Sequence, residues 1–410
     1  MRKENPMSDE EFGRRLLAPL RDEPDGVPAI DLPRAMAEGL RRRQLWRWSS
    51  GFAVVAATAA AAGGGALAVS SPPPPPPPSP SPSPTLSTAP TSTPGPTGCR
   101  VRRLPTDGVA KALVTGGDPS GHYLTGRLYP GTSSRKRTVI WKDGAILAYP
   151  ALGGSDASFQ DVNSRGVAVG SAYDGGEKQH AYVYRDGAVT RLRGGEAAAV
   201  AINDAGVIAG NLGPGFAPVP GRWASAGATA TKLPLPAGTV GGEVAGIAED
   251  GTIVGTVEPA HSEGTGYLWP AAGNGRRMPL PMVDGRRATF FWPESIGGGR
   301  VVGRAVFDTP DGLRRFASMR YTIGTGTYER LAADLNPPAI GAANGWILAT
   351  VLDSPAVLAG TRVVRLPTYQ KHRRYVVSSF SADGRVAAGY SVDGGTGPRV
   401  GNLPLMWTCG

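Results

Sequence analysis

The chain has 410 residues, 59 of them glycine and 39 proline, and its formal net charge is +10 at pH 7. A basic chain can bind nucleic acid, but nucleic-acid binding requires basic residues that are clustered on one surface. Here they are scattered over predicted turns without interleaved aromatics, which argues against nucleic acid and favours weak attraction to an anionic cell wall or membrane surface.

Residues 1–44 form the first predicted segment, a cytoplasmic tail of short helices or disordered chain. Residues 8–11 resemble a helix capping box, and an apolar stripe begins at Phe12. Asp31 can cap a second short helix. The segment is too short to bury a core by itself. Two interpretations stay open: a partly disordered tail, or a docking peptide for a cytoplasmic partner.

Residues 45–70 are predicted to contain a transmembrane helix. The run from Phe52 to Val69 has no charged residue and reaches the minimum length that crosses a bilayer. Four arginines between residues 41 and 47 precede it, and the positive-inside rule then places the N-terminus in the cytoplasm. The alternative is a cleaved signal peptide with cleavage after Ala68, although the preceding segment is long for a signal peptide.

Residues 71–98 are predicted to be an extended linker. They are rich in proline, serine and threonine and include seven consecutive prolines. Such sequences favour polyproline II, which at about 3.1 Å per residue would span roughly 80 Å. The linker would hold the following domain away from the membrane.

A nine-residue pattern is then repeated along residues 99–410. The best copies are residues 162–170, 202–210 and 247–255, in which an Asn-x-x-Gly or Asp-Gly turn precedes a short apolar strand. The period is close to forty-five residues, which is typical of β-propeller blades. Seven copies predict seven blades, with six or eight as alternatives. Their leading glycines are Gly121, Gly166, Gly206, Gly251, Gly299, Gly345 and Gly384.

A bulky residue also occurs once in each period, at the end of a second apolar strand. A glycine turn and a closing strand that often ends in Leu-Pro follow it. Such a residue would fill the space between twisted neighbouring sheets, so we interpret it as structural. The seven positions are Trp141, Tyr184, Trp223, Trp269, Tyr321, Leu358 and Trp407.

The two ends of the repeated region complete each other. The chain stops just after the strand containing Trp407, and the missing closing strand is found at residues 99–105. The last blade is therefore predicted to take its fourth strand from the beginning of the domain, which closes the ring. Cys99 and Cys409 are the only cysteines, and both would lie at this seam outside the cytoplasm. We therefore predict a disulfide between them.

The repeat resembles the HAF-type extracellular repeat family. Residues 202–210 match its Ile-Asn-x-x-Gly-x-Val-x-Gly half, and residues 180–184 are similar to its His-Ala-Phe-x-Trp half. The resemblance implies a secreted or surface β-propeller and brings no catalytic residues. The layout of the first 70 residues is similar to single-pass actinobacterial proteins linked to extracytoplasmic sigma factors, which implies a cytoplasmic sigma factor as partner. The zinc signature of many anti-sigma domains is absent.

No catalytic or metal-binding constellation was found in the sequence. The histidines lie in different repeats, and no phosphate loop, nucleophile elbow or calcium loop occurs. Asp-Gly pairs are expected to be turns. An arginine-rich patch on blades five to seven is an alternative to solvated loops. Its members would be Arg300, Arg304, Arg314, Arg315, Arg320, Arg373 and Arg374. The four histidines of the chain are His122, His180, His261 and His372.

The prediction from sequence is an all-β, seven-bladed propeller closed by its N-terminal strand and preceded by a transmembrane helix and a proline-rich linker. We expect it to be a membrane-anchored binding or sensing module for an extracytoplasmic protein or cell-wall ligand, without a cofactor and without enzymatic activity. A hydrolase or lyase with its active site in the propeller channel is the alternative.

Overall fold

The structure is a computed structural model, and it describes residues 94–131, 136–176, 178–215, 217–260, 262–309, 313–392 and 402–410. The predicted tail (1–44), the predicted transmembrane segment (45–70) and the linker up to residue 93 lie outside these ranges. Within the ranges, no helix has the length and apolar character needed to cross a membrane.

The described residues form thirty β-strands, which pair into seven antiparallel four-stranded sheets and one two-stranded hairpin. In chain order the strands are β1 (Arg100–Arg103), β2 (Lys111–Gly117), β3 (Tyr123–Tyr129), β4 (Arg137–Lys142), β5 (Ala145–Ala148), β6 (Ser155–Val162), β7 (Ala168–Tyr173), β8 (Gln179–Arg185), β9 (Ala188–Arg191), β10 (Ala197–Ile202), β11 (Ile208–Leu212), β12 (Val219–Trp223), β13 (Thr231–Lys232), β14 (Thr239–Ile247), β15 (Ile253–Pro259), β16 (Thr265–Trp269), β17 (Arg276–Arg277), β18 (Met282–Val283), β19 (Arg286–Arg287), β20 (Phe290–Gly297), β21 (Arg300–Asp308), β22 (Arg314–Thr322), β23 (Thr327–Arg330), β24 (Asn336–Gly341), β25 (Ile347–Val351), β26 (Ser354–Ala359), β27 (Arg362–Arg365), β28 (Tyr375–Phe380), β29 (Val386–Ser391) and β30 (Pro404–Thr408).

The seven sheets are the blades of a closed propeller. In each blade the strands follow one another from the channel outward, and we label them A to D. Every A strand contacts the A strands of both neighbouring blades, and β2 of the first blade contacts β28 of the last. The ring is therefore complete, and the predicted all-β fold with seven blades is confirmed. The A strands are β2, β6, β10, β14, β20, β24 and β28.

The last blade combines the two ends of the domain. Its strand order is β28, β29, β30 and β1, and Arg100 pairs with Thr408. Cys99 and Cys409 form the predicted disulfide next to this pair. Because the bond closes a very long loop, the chain-entropy model gives it about 5 kcal/mol of stabilisation, which is an upper bound.

The leading glycine of each repeat lies in a turn that joins strand A to strand B. In blade 2, Gly166 has φ of 75° and donates its N–H to the Asn163 carbonyl at 2.8 Å, while Asn163 Oδ1 accepts from two further N–H groups. Only glycine adopts this conformation without steric cost. All seven leading glycines have positive φ, as the turn prediction requires.

The glycine that ends the nine-residue pattern, such as Gly210, is explained by a bulge in strand A. In blade 3, Gly210 pairs with Ala199, next to the register shift between Ala199 and Ala201. A Cβ on Gly210 would lie 2.1 Å from the Ala198 carbonyl oxygen. The same close approach, 2.0 to 2.4 Å, occurs at Gly126, Gly170, Gly255, Gly303 and Gly389. Each of these glycines therefore makes room for the bulged strand beside it.

The bulky residue of each blade is buried, as predicted, with at most 7% exposure. Four of the seven are tryptophans whose indole N–H bonds to the preceding blade. Trp141 of blade 1, for example, donates to the Pro105 carbonyl at 2.9 Å, just beyond the closing strand of blade 7. The residue thus fills the gap between two sheets and joins them by a hydrogen bond. The equivalent bonds run from Trp223 to Arg193, Trp269 to Pro234 and Trp407 to Pro367.

Candidate binding site

The propeller has two faces with different connections. The A–B and C–D turns lie on one face, which we call the turn face. The B–C loops and the D–A connections between blades lie on the other, the loop face. Because β1 begins at the turn face, the described chain enters there, and Gly410 N donates to the Thr97 carbonyl at 3.0 Å beside it.

The described histidines are separated, as their spacing predicted, and His261 lies outside the described residues. His122 contacts Asp143 at 2.5 Å on the surface, and this hydrogen bond raises the pKa of the imidazole. His180 is buried: its Nδ1 accepts from Arg191 at 2.6 Å, which leaves Nε2–H to donate to Asp174 at 3.0 Å. Both are small local networks, and no set of three possible ligands in the described ranges could hold a metal ion.

The predicted arginine-rich patch is divided between the two faces. Arg300 and Arg320 lie near the turn face, where Arg320 donates to the Gly345 carbonyl at 3.0 Å. Arg373 and Arg374 lie in the connection from β27 to β28. The seven arginines therefore do not form one surface. Arg304 and Arg314 alone among them stack on aromatic rings in the described part of the chain.

Blade 5 carries a group of aromatic residues toward the loop face. Side chains alternate along β20, so Phe291 is buried in the core while Phe290 and Trp292 share the other side and are half-buried. Their rings are stacked with 17° between planes and 6.4 Å between centroids. Phe316 on β22 lies 6.1 Å from Trp292 and is 41% exposed. Three aromatic rings therefore form one partly exposed surface.

Arg304 packs over this surface and pairs with a buried carboxylate. Its Cζ lies 5.3 Å from the Phe316 centroid and 5.9 Å from that of Trp292. Its Nε donates to Glu294 at 2.5 Å, and the two side chains are only 13% and 8% exposed. Burial raises the pKa of Glu294, although Arg304 and the Ala339 N–H act in the opposite direction.

Arg314 holds the outer side of the same surface. Its two Nη atoms donate to the two carboxylate oxygens of Glu263 at 3.0 and 2.7 Å, and its Nε donates to Asp308 at 3.0 Å. Its Cζ lies 5.8 Å from the Trp292 centroid. A bidentate pair of this kind fixes the guanidinium plane. We call Phe290, Trp292, Phe316, Arg304 and Arg314 the aromatic–arginine cluster.

The sequence contains one signal for this cluster. Phe290, Phe291 and Trp292 are consecutive in the sequence. In a strand, side chains alternate between the two faces of the sheet, so these three rings cannot all point to the same face. Two of the three rings therefore had to face another blade, the channel or solvent. Phe316 could not be assigned to them, because its pairing opposite Val306 depends on the register of β21 and β22.

No protein-family profile matches the chain, and no curated protein sequence matches it. Its fold is similar to several solved propellers. The β-propeller domain of the trilobed protease from Pyrococcus furiosus, described as having an open velcro topology, shares 9% identity at a TM-score of 0.51 over 72% of this chain and 95% of that one. TolB from Acinetobacter baumannii shares 13% identity at a TM-score of 0.39, over 70% of this chain and 80% of that one. An acylaminoacyl peptidase from Pyrococcus horikoshii shares 14% at a TM-score of 0.47, over 70% and 52%. The likeness to the first of these, at a TM-score of 0.51 and 9% identity, supports the propeller fold and nothing further.

Proposed function

We propose that this chain is a membrane-anchored, extracytoplasmic binding module whose propeller contacts a cell-envelope ligand through the aromatic–arginine cluster. The observation that carries the proposal is the exposure of aromatic surface at one place, including Phe316 at 41%. Aromatic residues and arginine are the side chains most often responsible for binding energy at interfaces. An apolar surface bordered by ordered charged groups is typical of a recognition site.

Two further features support the proposed location. The Cys99–Cys409 disulfide is of a kind that persists in oxidising compartments outside the cytoplasm. The described chain enters on the turn face, whereas the cluster lies toward the loop face. A tether formed by residues 45–98 would therefore leave the cluster accessible. The predicted sigma-factor partner of residues 1–44 stays a prediction.

A retention assay on cell-envelope sheets tests the binding function. The full-length chain, solubilised in mild detergent, is sedimented with isolated envelope sheets, and the bound fraction is measured against protein concentration. Replacing Trp292 and Phe316 together by alanine removes two of the three rings. We expect apparent affinity to fall about tenfold or more, because truncating an interface aromatic costs on the order of 1.4 kcal/mol or more.

Matched surface variants control for general effects of substitution. Leu147→Ala removes an apolar side chain that is 49% exposed on β5, and Arg330→Ala breaks an exposed ion pair with Asp284 on β23. Both should be retained like the wild type. Equal retention of the Trp292/Phe316 variant, with its thermal transition intact, would show that the cluster does not mediate binding.

A further inference from the structure

The aromatic–arginine cluster presents flat rings and ordered hydrogen-bonding groups on the same surface. The faces of Phe290 and Trp292 are nearly parallel, and Phe316 extends the apolar area at 44° to Trp292. Ring faces carry partial negative charge and attract weakly positive C–H groups. A pyranose ring has such a face of C–H groups, and hydroxyls around its edge.

The polar groups of the cluster suit hydroxyls better than ions. Arg304 is paired with Glu294, and Arg314 is paired with Glu263 and Asp308. The site therefore offers no excess positive charge to attract a polyanion. In the described part of the chain, the hydrogen bonds of Arg304 involve only its Nε, and a guanidinium has five N–H donors. The remaining guanidinium N–H groups can donate to one sugar hydroxyl, and the neighbouring carboxylate oxygens can accept from the adjacent hydroxyl.

We propose that the aromatic–arginine cluster binds a neutral, hydroxyl-rich glycan of the cell envelope, with a sugar ring stacked on Phe316, the most exposed of the three rings, and hydroxyls bonded to Arg304, Arg314 and their carboxylate partners. This inference rests on the proposed binding function and names its ligand class. The charge of the whole chain, +10, then contributes only a weak and salt-sensitive background.

A proline-rich peptide is the competing occupant, since polyproline segments also pack in aromatic grooves. The chain contains such a segment at residues 72–93. It leads to Gly95, however, which lies against Ala359 and Val364 of blade 6, while the cluster lies toward the loop face of blade 5. The cluster also has carboxylate oxygens around its rings, which need a hydrogen-bond donor from the ligand. A proline-rich backbone supplies few donors, because proline has no N–H. A glycan uses both the rings and the polar groups.

The test extends the retention assay by destroying one chemical class at a time. Envelope sheets are oxidised with periodate, which cleaves the vicinal diols of sugars, or digested with proteinase, which removes protein. Retention of the full-length chain on both preparations is compared with retention on untreated sheets. Each is measured at low salt and at about 1 M salt, where the Debye length is about 3 Å. A synthetic peptide of residues 72–93 serves as competitor.

We expect periodate to reduce the cluster-dependent retention at least tenfold, and proteinase, high salt and the peptide to leave it nearly unchanged. Cluster-dependent retention is the difference between the wild type and Phe316→Ala, a change at a 41% exposed side chain that avoids unfolding. Arg314→Ala should weaken it as well, while Arg330→Ala should not.

Three results would overturn the glycan inference while leaving the binding function in place. They are retention that survives periodate, retention that proteinase or the peptide abolishes, and retention that disappears in high salt as expected for a polyanion. If untreated sheets retain wild type and Phe316→Ala equally, the proposed binding function is itself wrong. The two failures are therefore distinguished by the untreated sample.

Discussion

Asp161 joins blade 2 to blade 3 through one side chain. Its Oδ2 accepts the N–H of Ile202 in the next blade at 2.9 Å, and its Oδ1 accepts the N–H of Val162 at 2.9 Å. Burial raises the pKa of Asp161 to about 7, and the carboxylates of Glu249 and Asp118 act in the same direction. This carboxyl therefore titrates near neutral pH, and its protonation is linked to folding.

The folded protein should keep this proton up to about pH 7, whereas the unfolded chain loses it near pH 4. Between these values the folded state binds more protons, so stability contributed by Asp161 falls as pH rises and levels off above pH 7. Asp161→Asn cannot ionise. We expect the stability of the variant relative to wild type to increase from pH 4 to pH 8 in urea denaturation.

The control variant is Asp186→Asn, which also removes one negative charge but from a side chain that is 88% exposed. A constant offset between Asp161→Asn and wild type across this pH range would mean that Asp161 is not protonated in the folded protein. The carboxyl could be recognised in the sequence only as part of a strand. Its raised pKa depends on the neighbouring blade, which is distant along the chain.

At the scale of an element, the repeat encodes an A strand with a bulge and a B strand that fits against it. The turn glycine was predictable, since Asn-x-x-Gly requires positive φ. The last glycine was identified only as part of a buried strand, because the bulge opposite it is not visible in one chain segment. Blade 6 tests this explanation: Ala349 replaces the glycine there, and strand A has a longer irregularity between Asn336 and Ile340.

Gly210→Ala should destabilise the propeller by about 1–3 kcal/mol, because its Cβ would overlap the Ala198 carbonyl oxygen and force the backbone apart. The matched control is Gly227→Ala, where a Cβ meets no atom within 4 Å. Urea denaturation monitored by tryptophan fluorescence measures both. The explanation fails if the two variants have equal stability.

At the scale of the whole molecule, the ring is closed by residues that lie at opposite ends of the domain. β1 supplies the outer strand of the last blade, and the disulfide joins Cys99 to Cys409 over a sequence separation of 310 residues. Closure covers the sheet faces that the first and last blades of a linear array would expose, and β1 pairs with the strand edge of β30. It also places the chain entry on the turn face, whereas the aromatic–arginine cluster lies toward the loop face.

The proposed anchoring predicts where each end of the chain is found. A tag at the C-terminus should be accessible to antibody on intact cells, while a tag at the N-terminus should become accessible only after permeabilisation. The physical reason is the arginine group before residue 52, which favours the cytoplasmic side. A soluble chain in the medium that begins at Val69 would instead establish a cleaved signal peptide.

The sequence by itself determined the architecture of residues 99–410, because propeller blades repeat. A turn glycine, an apolar strand and a bulky residue recur at a near-constant interval, and the complementary ends revealed the closure and the disulfide. Each of these signals is local or is repeated, so it can be recognised without knowing which strands pair.

The tertiary structure decided the candidate site. Trp292 and Phe316 belong to different strands, Glu263 belongs to the preceding blade, and Arg304 meets them only because of the register of β21. The predicted arginine patch was divided for the same reason, since residues near in sequence can lie on opposite faces of a propeller. Packing between strands and between blades brings these groups together, and no single repeat encodes it.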